Sequence, residues 1–272
     1  YPLGRTGRNT GRKLQENWDS YYRFMNNQLT ELLTHYGPVR AIWFDGWWDQ
    51  DQKSGFDWHL PQQYEMIHKL QPACLIGNNH HQLPYPGEDI QIFERDLPGE
   101  NTFGLSGQAI GHLPLETCET MNTSWGYKIT DNNYKSTEAL IRLLVKAAGK
   151  DANLLLNIGP QPDGCIPDTS IERLKNIGKW LEKNGETIYG TRGGVVPPRD
   201  WGVTTQKDNK IYVHILDWKD KGLFLPITDI KIKKACLFKN KENISFSQNK
   251  QGLFLQLPEV PTGVDYIVEL QR

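Results

Sequence analysis

Residues 20–48 confine the fold more than any other stretch. Tyr21, Tyr22, Phe24, Met25, Leu29, Leu32 and Leu33 recur at helical spacing, and Gly37-Pro38 closes the run. Ala41-Ile42-Trp43-Phe44 then reads as a short buried strand that delivers Asp45 at its C-terminal end, with Gly46-Trp47-Trp48 following. Helix, turn, buried strand and terminal acid is the order in which parallel α/β barrels present catalytic groups. Asp45-Gly46 is also compatible with a hairpin turn. A hairpin needs a second strand at once, and Trp47-Trp48-Asp49-Gln50-Asp51 makes a poor one.

The same logic extends along the chain. A helix is expected from about Lys13 to Tyr36, a strand over 41–45, a short helix over 61–70 with Pro61 in its first turn, and a strand over 74–79. A long Gly- and Pro-rich segment from His80 to Pro114 contains the extended run Ile90 to Glu94, and 115–121 reads as a third strand. Ser136 to Lys150 and 168–185 are amphipathic helices around a fourth buried strand at 153–160, with Ile171, Leu174, Ile177, Trp180 and Leu181 facing inward in the second helix. After Gly193-Gly194 the helical period stops. Alternating runs at 211–216, 230–238, 252–257 and 265–270 predict a small antiparallel β-sandwich. The expected architecture is about four strand–helix units over residues 1–194, forming part of a (β/α)8 barrel, followed by a β-sandwich over 195–272. Four units are too few to close such a barrel.

Composition narrows the function. With 272 residues, 38% hydrophobic and 23% charged, the chain reads as soluble and globular. Its net charge of −1 gives no general attraction for nucleic acid or an anionic membrane, and neither is expected as a partner. Nine Trp and eleven Tyr point weakly to sugars, whose C–H faces stack on rings, although cores use the same residues. Cys74, Cys118, Cys165 and Cys236 are scattered without metal-ligand spacing, and Cys74 and Cys118 read as buried thiols. Tyr1 to Thr10 looks like a loop in mid-domain rather than a signal peptide or helix start.

The chemistry gathers at strand ends. Asn78-Asn79-His80-His81, Glu94 and Glu116 each follow or open a strand, and in a barrel they would share one rim with Asp45. Acids on one rim with aromatics between them suggest glycoside hydrolysis. Here the sequence resembles a known family, the retaining α-L-fucosidases. The resemblance rests on Asn27-Gln28-Leu29-Thr30-Glu31-Leu32-Leu33, Trp43-Phe44-Asp45-Gly46, Glu94 ahead of Leu97-Pro98, and Glu116-Thr117-Cys118 ahead of Ser124-Trp125-Gly126-Tyr127. It continues through Asn153 to Pro160, Asp163-Gly164 and Asn184 to Gly190.

The resemblance implies a (β/α)8 catalytic domain with a β-domain, a fucosylated glycan as substrate, no metal or organic cofactor, and a periplasmic or secreted location. It implies Asp45 as nucleophile and Glu94 as acid/base, with Glu116 as the alternative acid or a structural one. Trp43 and Trp125 match pocket-lining positions. His80 or His81 stands near where relatives carry an Arg, and either is expected to bond a fucose hydroxyl or to pack on Trp. Trp47, with Trp48 and Trp58, is expected on the leaving-group side or in packing. Relatives carry roughly another half-barrel before these motifs, so a complementing half-barrel or a second copy is expected as partner. The rival expectations are an inactive fucose-binding or structural fragment, and a barrel glycosidase for another sugar.

Overall fold

The computed structural model describes residues 15–50 and 55–272, with side chains from Trp18 onward. The opening loop and the first residues expected in the helix lie outside the described residues. The chain divides into two compact units. One holds the residues up to Glu94 together with Gly99–Glu116, and the other holds Arg95–Pro98 with Thr117–Arg272.

In the first unit, helix α1 (Gln15–His35) leads to strand β1 (Ala41–Phe44), helix α2 (Leu60–Leu70) and strand β2 (Leu75–Asn78). β1 and β2 pair in parallel, Ala41 with Leu75 through Phe44 with Asn78. The parallel register rules out the hairpin: after Gly46 (φ 97) the chain makes a 3-10 turn over Trp47–Asp49. Strand β3 (Gln91–Glu94) joins through the parallel bridge of Gly77 with Ile90. Leu33, Tyr64, Ile67, Cys74 and Ile76 form the core beneath. Two expectations fail here. β1 is half-exposed rather than buried, with Trp43 38% accessible, because β2 is its one strand partner among the described residues. Tyr21, Phe24 and Leu32 of α1 are likewise exposed, since only one side of the helix meets the core.

In the second unit, the end of strand β4 (Leu115–Thr120) meets strand β5 (Ala152–Asn157), where the Met121 N–H donates to Asn157 O. The count of four strand–helix units therefore needs correction to five strands, with loops rather than helices before and after β3. Helix α3 (Thr137–Gly149) starts where Ser136 Oγ accepts from the Ala139 N–H, a cap worth about 1 kcal/mol. Helix α4 (Asp168–Asn184) buries Ile177 but leaves Leu174 exposed, against expectation. β5 was expected buried, yet its Leu155 is exposed.

Beyond α4 come eight antiparallel strands: β6 (Arg192–Gly193), β7 (Gly202–Lys207), β8 (Lys210–Ile215), β9 (Gly222–Leu225), β10 (Lys234–Leu237), β11 (Ser245–Asn249), β12 (Gly252–Gln256) and β13 (Tyr266–Gln271). They form one sheet in the order β10-β13-β8-β7-β6 and another in the order β11-β12-β9. Val213, Leu225, Leu253, Leu255 and Val268 fill the space between them, so this is the expected sandwich. The reading missed β6, β7, β9 and β11. β7 hides its pattern because the buried Thr204 and Thr205 are polar, each satisfied by backbone carbonyls. α3 and α4 cover this sheet through Leu140, Ile141, Val145 and Ile177 against Val203.

Candidate active site

The parallel ladder puts Asp45 and Asn79 one residue beyond the paired ends Phe44 and Asn78. Side chains alternate across a strand, so neighbouring residues serve opposite faces. Asn78 turns inward, and its Nδ2 donates to Tyr64 Oη at 2.8 Å. Asn79 turns the other way. Its Nδ2 donates to Asp45 Oδ1 at 3.3 Å and to Glu94 Oε2 at 2.8 Å. One amide thus holds two of the expected carboxylates. Ser106 Oγ donates to Glu94 O at 2.9 Å and ties the strand end to the loop that follows.

The two histidines part company. His80 is buried, with Nε2 against both oxygens of Glu88 at 3.0 and 3.1 Å and Nδ1 accepting the Gln82 N–H. Tyr64 Oη donates to the same Glu88 at 2.8 Å, and burial pushes that phenol far above its usual range, which keeps it a donor. His81 adopts φ 60, uncommon for a residue with a side chain, and its Nε2 lies 3.5 Å from Glu94 Oε2.

Trp43 donates through Nε1 to Glu116 Oε1 at 2.9 Å. Burial pushes the Glu116 carboxyl above its usual range, and the indole bond pulls part of the way back. Trp47 stacks on Trp58 with centroids 5.3 Å apart and meets Tyr85 and His80 edgewise or tilted. Trp48 is exposed. Asp45, Glu94, Glu116, Trp43, Trp47, His80 and His81 therefore all belong to the first unit.

Trp125 belongs to the second. The Arg95 guanidinium lies 4.8 Å from its ring centre and donates to Thr123 O at 2.8 Å. Asn157 Nδ2 donates to Trp125 O at 2.7 Å. A Cβ on Gly159 would stand 2.5 Å from Tyr127 N, so only glycine lets the end of β5 back onto this loop.

The sequence reading put Asn79 on the rim with its neighbours but gave it no role, and it missed the bond between Trp43 and Glu116. The available signal for the first was a polar residue directly after an apolar strand. The second joins residues far apart in sequence and leaves no local trace.

Comparison with known proteins bears on these groups. Residues 5–186 match the Alpha-L-fucosidase family model. Human plasma alpha-L-fucosidase is 34% identical over 265 residues, covering 80% of this chain and 56% of that protein. An alpha-L-fucosidase of Branchiostoma floridae is 37% identical over 206 residues, covering 72% of this chain and 43% of the relative. The solved structure of alpha-L-fucosidase isoenzyme 1 from Paenibacillus thiaminolyticus superposes with a TM-score of 0.77 at 31% identity, covering 93% of this chain and 62% of that one. The chain spans little more than half the length of the mammalian plasma relatives it matches.

Proposed function

The chain belongs to the alpha-L-fucosidase family, and from that premise we propose that the protein carrying it hydrolyses α-L-fucosides with retention of configuration. An oxygen of Asp45 attacks the anomeric carbon while the bond to the leaving oxygen breaks and Glu94 gives that oxygen its proton. Water then attacks the same carbon, Glu94 takes a proton from the water, and the ester to Asp45 breaks.

The observation that carries this reading is the amide of Asn79 between the two carboxylates. One amide bonded to both carboxylates keeps them close, as direct attack by one of them requires, whereas inversion needs room for a water between them. Trp43 and His81 are assigned to the fucose side and Trp47 to the leaving-group side, with His80 tied to Glu88 in the loop that follows β2; Trp125, in the second unit, keeps its match to a pocket-lining position of the family. Residues 1–194 are assigned to a partial (β/α)8 barrel and 195–272 to its β-domain. The exposed faces of β1 and β5, marked by Trp43 and Leu155, favour further barrel strands beside them, from the same polypeptide or a second copy.

A second reading exchanges the acids. Glu116 already has a carboxyl raised by burial, as a proton donor requires.

The test is release of fucose from an aryl α-L-fucoside by the protein carrying this chain, against the matching galactoside and xyloside. Proton NMR of the first product is expected to show the α anomer. Equal turnover of all three sugars, or a β product, overturns the reading. No turnover at all favours a fucose-binding or structural role.

A further inference from the structure

Asn79 is 2% exposed and joins the two carboxylates through one atom. Its backbone N–H donates to Phe44 O at 2.9 Å, so the parallel ladder itself sets where the amide stands. The side-chain orientation is fixed by chemistry. Asp45 Oδ1 and Glu94 Oε2 both act as acceptors here, so the nitrogen, and not the amide oxygen, faces them. The opposite amide atom, Oδ1, is buried and has no hydrogen-bond partner among the described residues, which leaves the amide no competing anchor.

We propose that Asn79 is the positioning residue that decides which oxygen of each carboxylate reacts. It occupies Asp45 Oδ1 and Glu94 Oε2 and leaves Asp45 Oδ2 to attack and Glu94 Oε1 to carry the transferable proton. His81 Nε2 lies 3.5 Å from the same Glu94 oxygen, so Oε2 is the crowded side and the acidic proton is directed to Oε1. This rests on the hydrolytic reading above for what the oxygens do, but not for how the amide holds them.

In Asn79→Ala, kcat on an aryl fucoside is expected to fall about 10- to 100-fold with KM within about twofold of the parent. Poor leaving groups should suffer most. Asn79→Asp keeps the shape of the side chain and replaces the donor with a third acid, so it should lose at least as much, and it serves if the alanine variant does not fold. A merely structural role would lower the melting temperature and leave kcat of the folded protein in place. A kcat within twofold of the parent overturns the proposal.

Carbon-detected NMR of labelled Asp and Glu carboxyls at one fixed pH separates this from the function itself. Glu94→Gln and Asp45→Asn assign the two signals. If the parent protein releases no fucose, the hydrolytic reading fails. Both carboxyl signals must still change position in Asn79→Ala, and if they stay in place the positioning role fails as well.

Discussion

The carboxylates of the β-sandwich and those at the strand ends of the first unit are held by opposite means. In the sandwich, the buried Glu269 has Lys241 Nζ at 2.8 Å and Lys210 Nζ at 3.7 Å. Glu186, in the turn between α4 and the sandwich, meets the sandwich residues Lys210 Nζ at 2.6 Å and Tyr212 Oη at 2.8 Å. Burial alone would raise the Glu269 carboxyl, but Lys241, Gln271 and Lys210 together hold it below its usual range. At the strand ends, Asp45 and Glu94 share a neutral amide, and Glu116 takes a neutral indole. A carboxylate paired with lysine is fixed as an anion, which suits a structural acid. A carboxylate held by neutral N–H groups is oriented by bonds that add no full charge beside it. In the proposed reaction the partner, more than the acid, separates structure from chemistry.

Breaking the comparison should cost most at Asp45. Asp45→Gly is expected to lower turnover of aryl fucosides by about 10³-fold or more with the circular dichroism spectrum retained, and azide should restore part of it as a β-fucosyl azide. A variant that keeps near-parental rates would remove Asp45 from the chemistry. Next comes the choice of acid. Glu94→Ala should cost about 10²- to 10³-fold on substrates with poor leaving groups and much less on activated aryl fucosides. If Glu116→Ala shows that contrast instead, the two glutamates exchange roles.

The sandwich should respond in stability alone. The Glu269 carboxyl is held low in the folded state, so its contribution is present above the ordinary carboxylate value and is lost as pH falls through the folded one. Lys241→Met should therefore cost roughly 1–2 kcal/mol in urea unfolding at pH 7, with the difference closing as pH falls through the folded value. A full-sized cost that persists in acid would show that packing, rather than charge, is lost. The smallest effect has the opposite sign. The Glu116 carboxyl is held high, so its contribution is greatest at low pH and is lost as pH rises through the folded value. Glu116→Gln should melt above the parent at pH 7, and the two should converge near pH 4. A lower melting point at pH 7 would mark Glu116 as an acid the fold needs ionised.

Much of this was legible in the sequence because it is local. The apolar run before Asp45, the helical spacing in α3 and the period-two runs of β8, β12 and β13 each carry their own pattern. What stayed hidden depends on partners. β1 looks buried because every residue in it is apolar, yet burial depends on how many strands lie beside it. β7 looks like a loop because its threonines are buried on hydrogen bonds rather than on carbon. Asparagine after a strand reads first as a turn residue, and only the parallel pairing of β1 with β2 turns Asn79 toward two acids.

That pairing has one more consequence. Asp45, Asn79 and Glu94 all stand within one residue of a strand's end, while the loops beyond Asp45 and Asn79 carry the tryptophan cluster and the buried histidine. These three side chains take their places from the ladder first and from the loops second. In the proposed reaction, such a layout can exchange or lengthen its loops, and with them the shape of the glycan admitted, while the carboxylate pair stays where the strands put it. Diversification in substrate and permanence in reaction would then be two results of the same register.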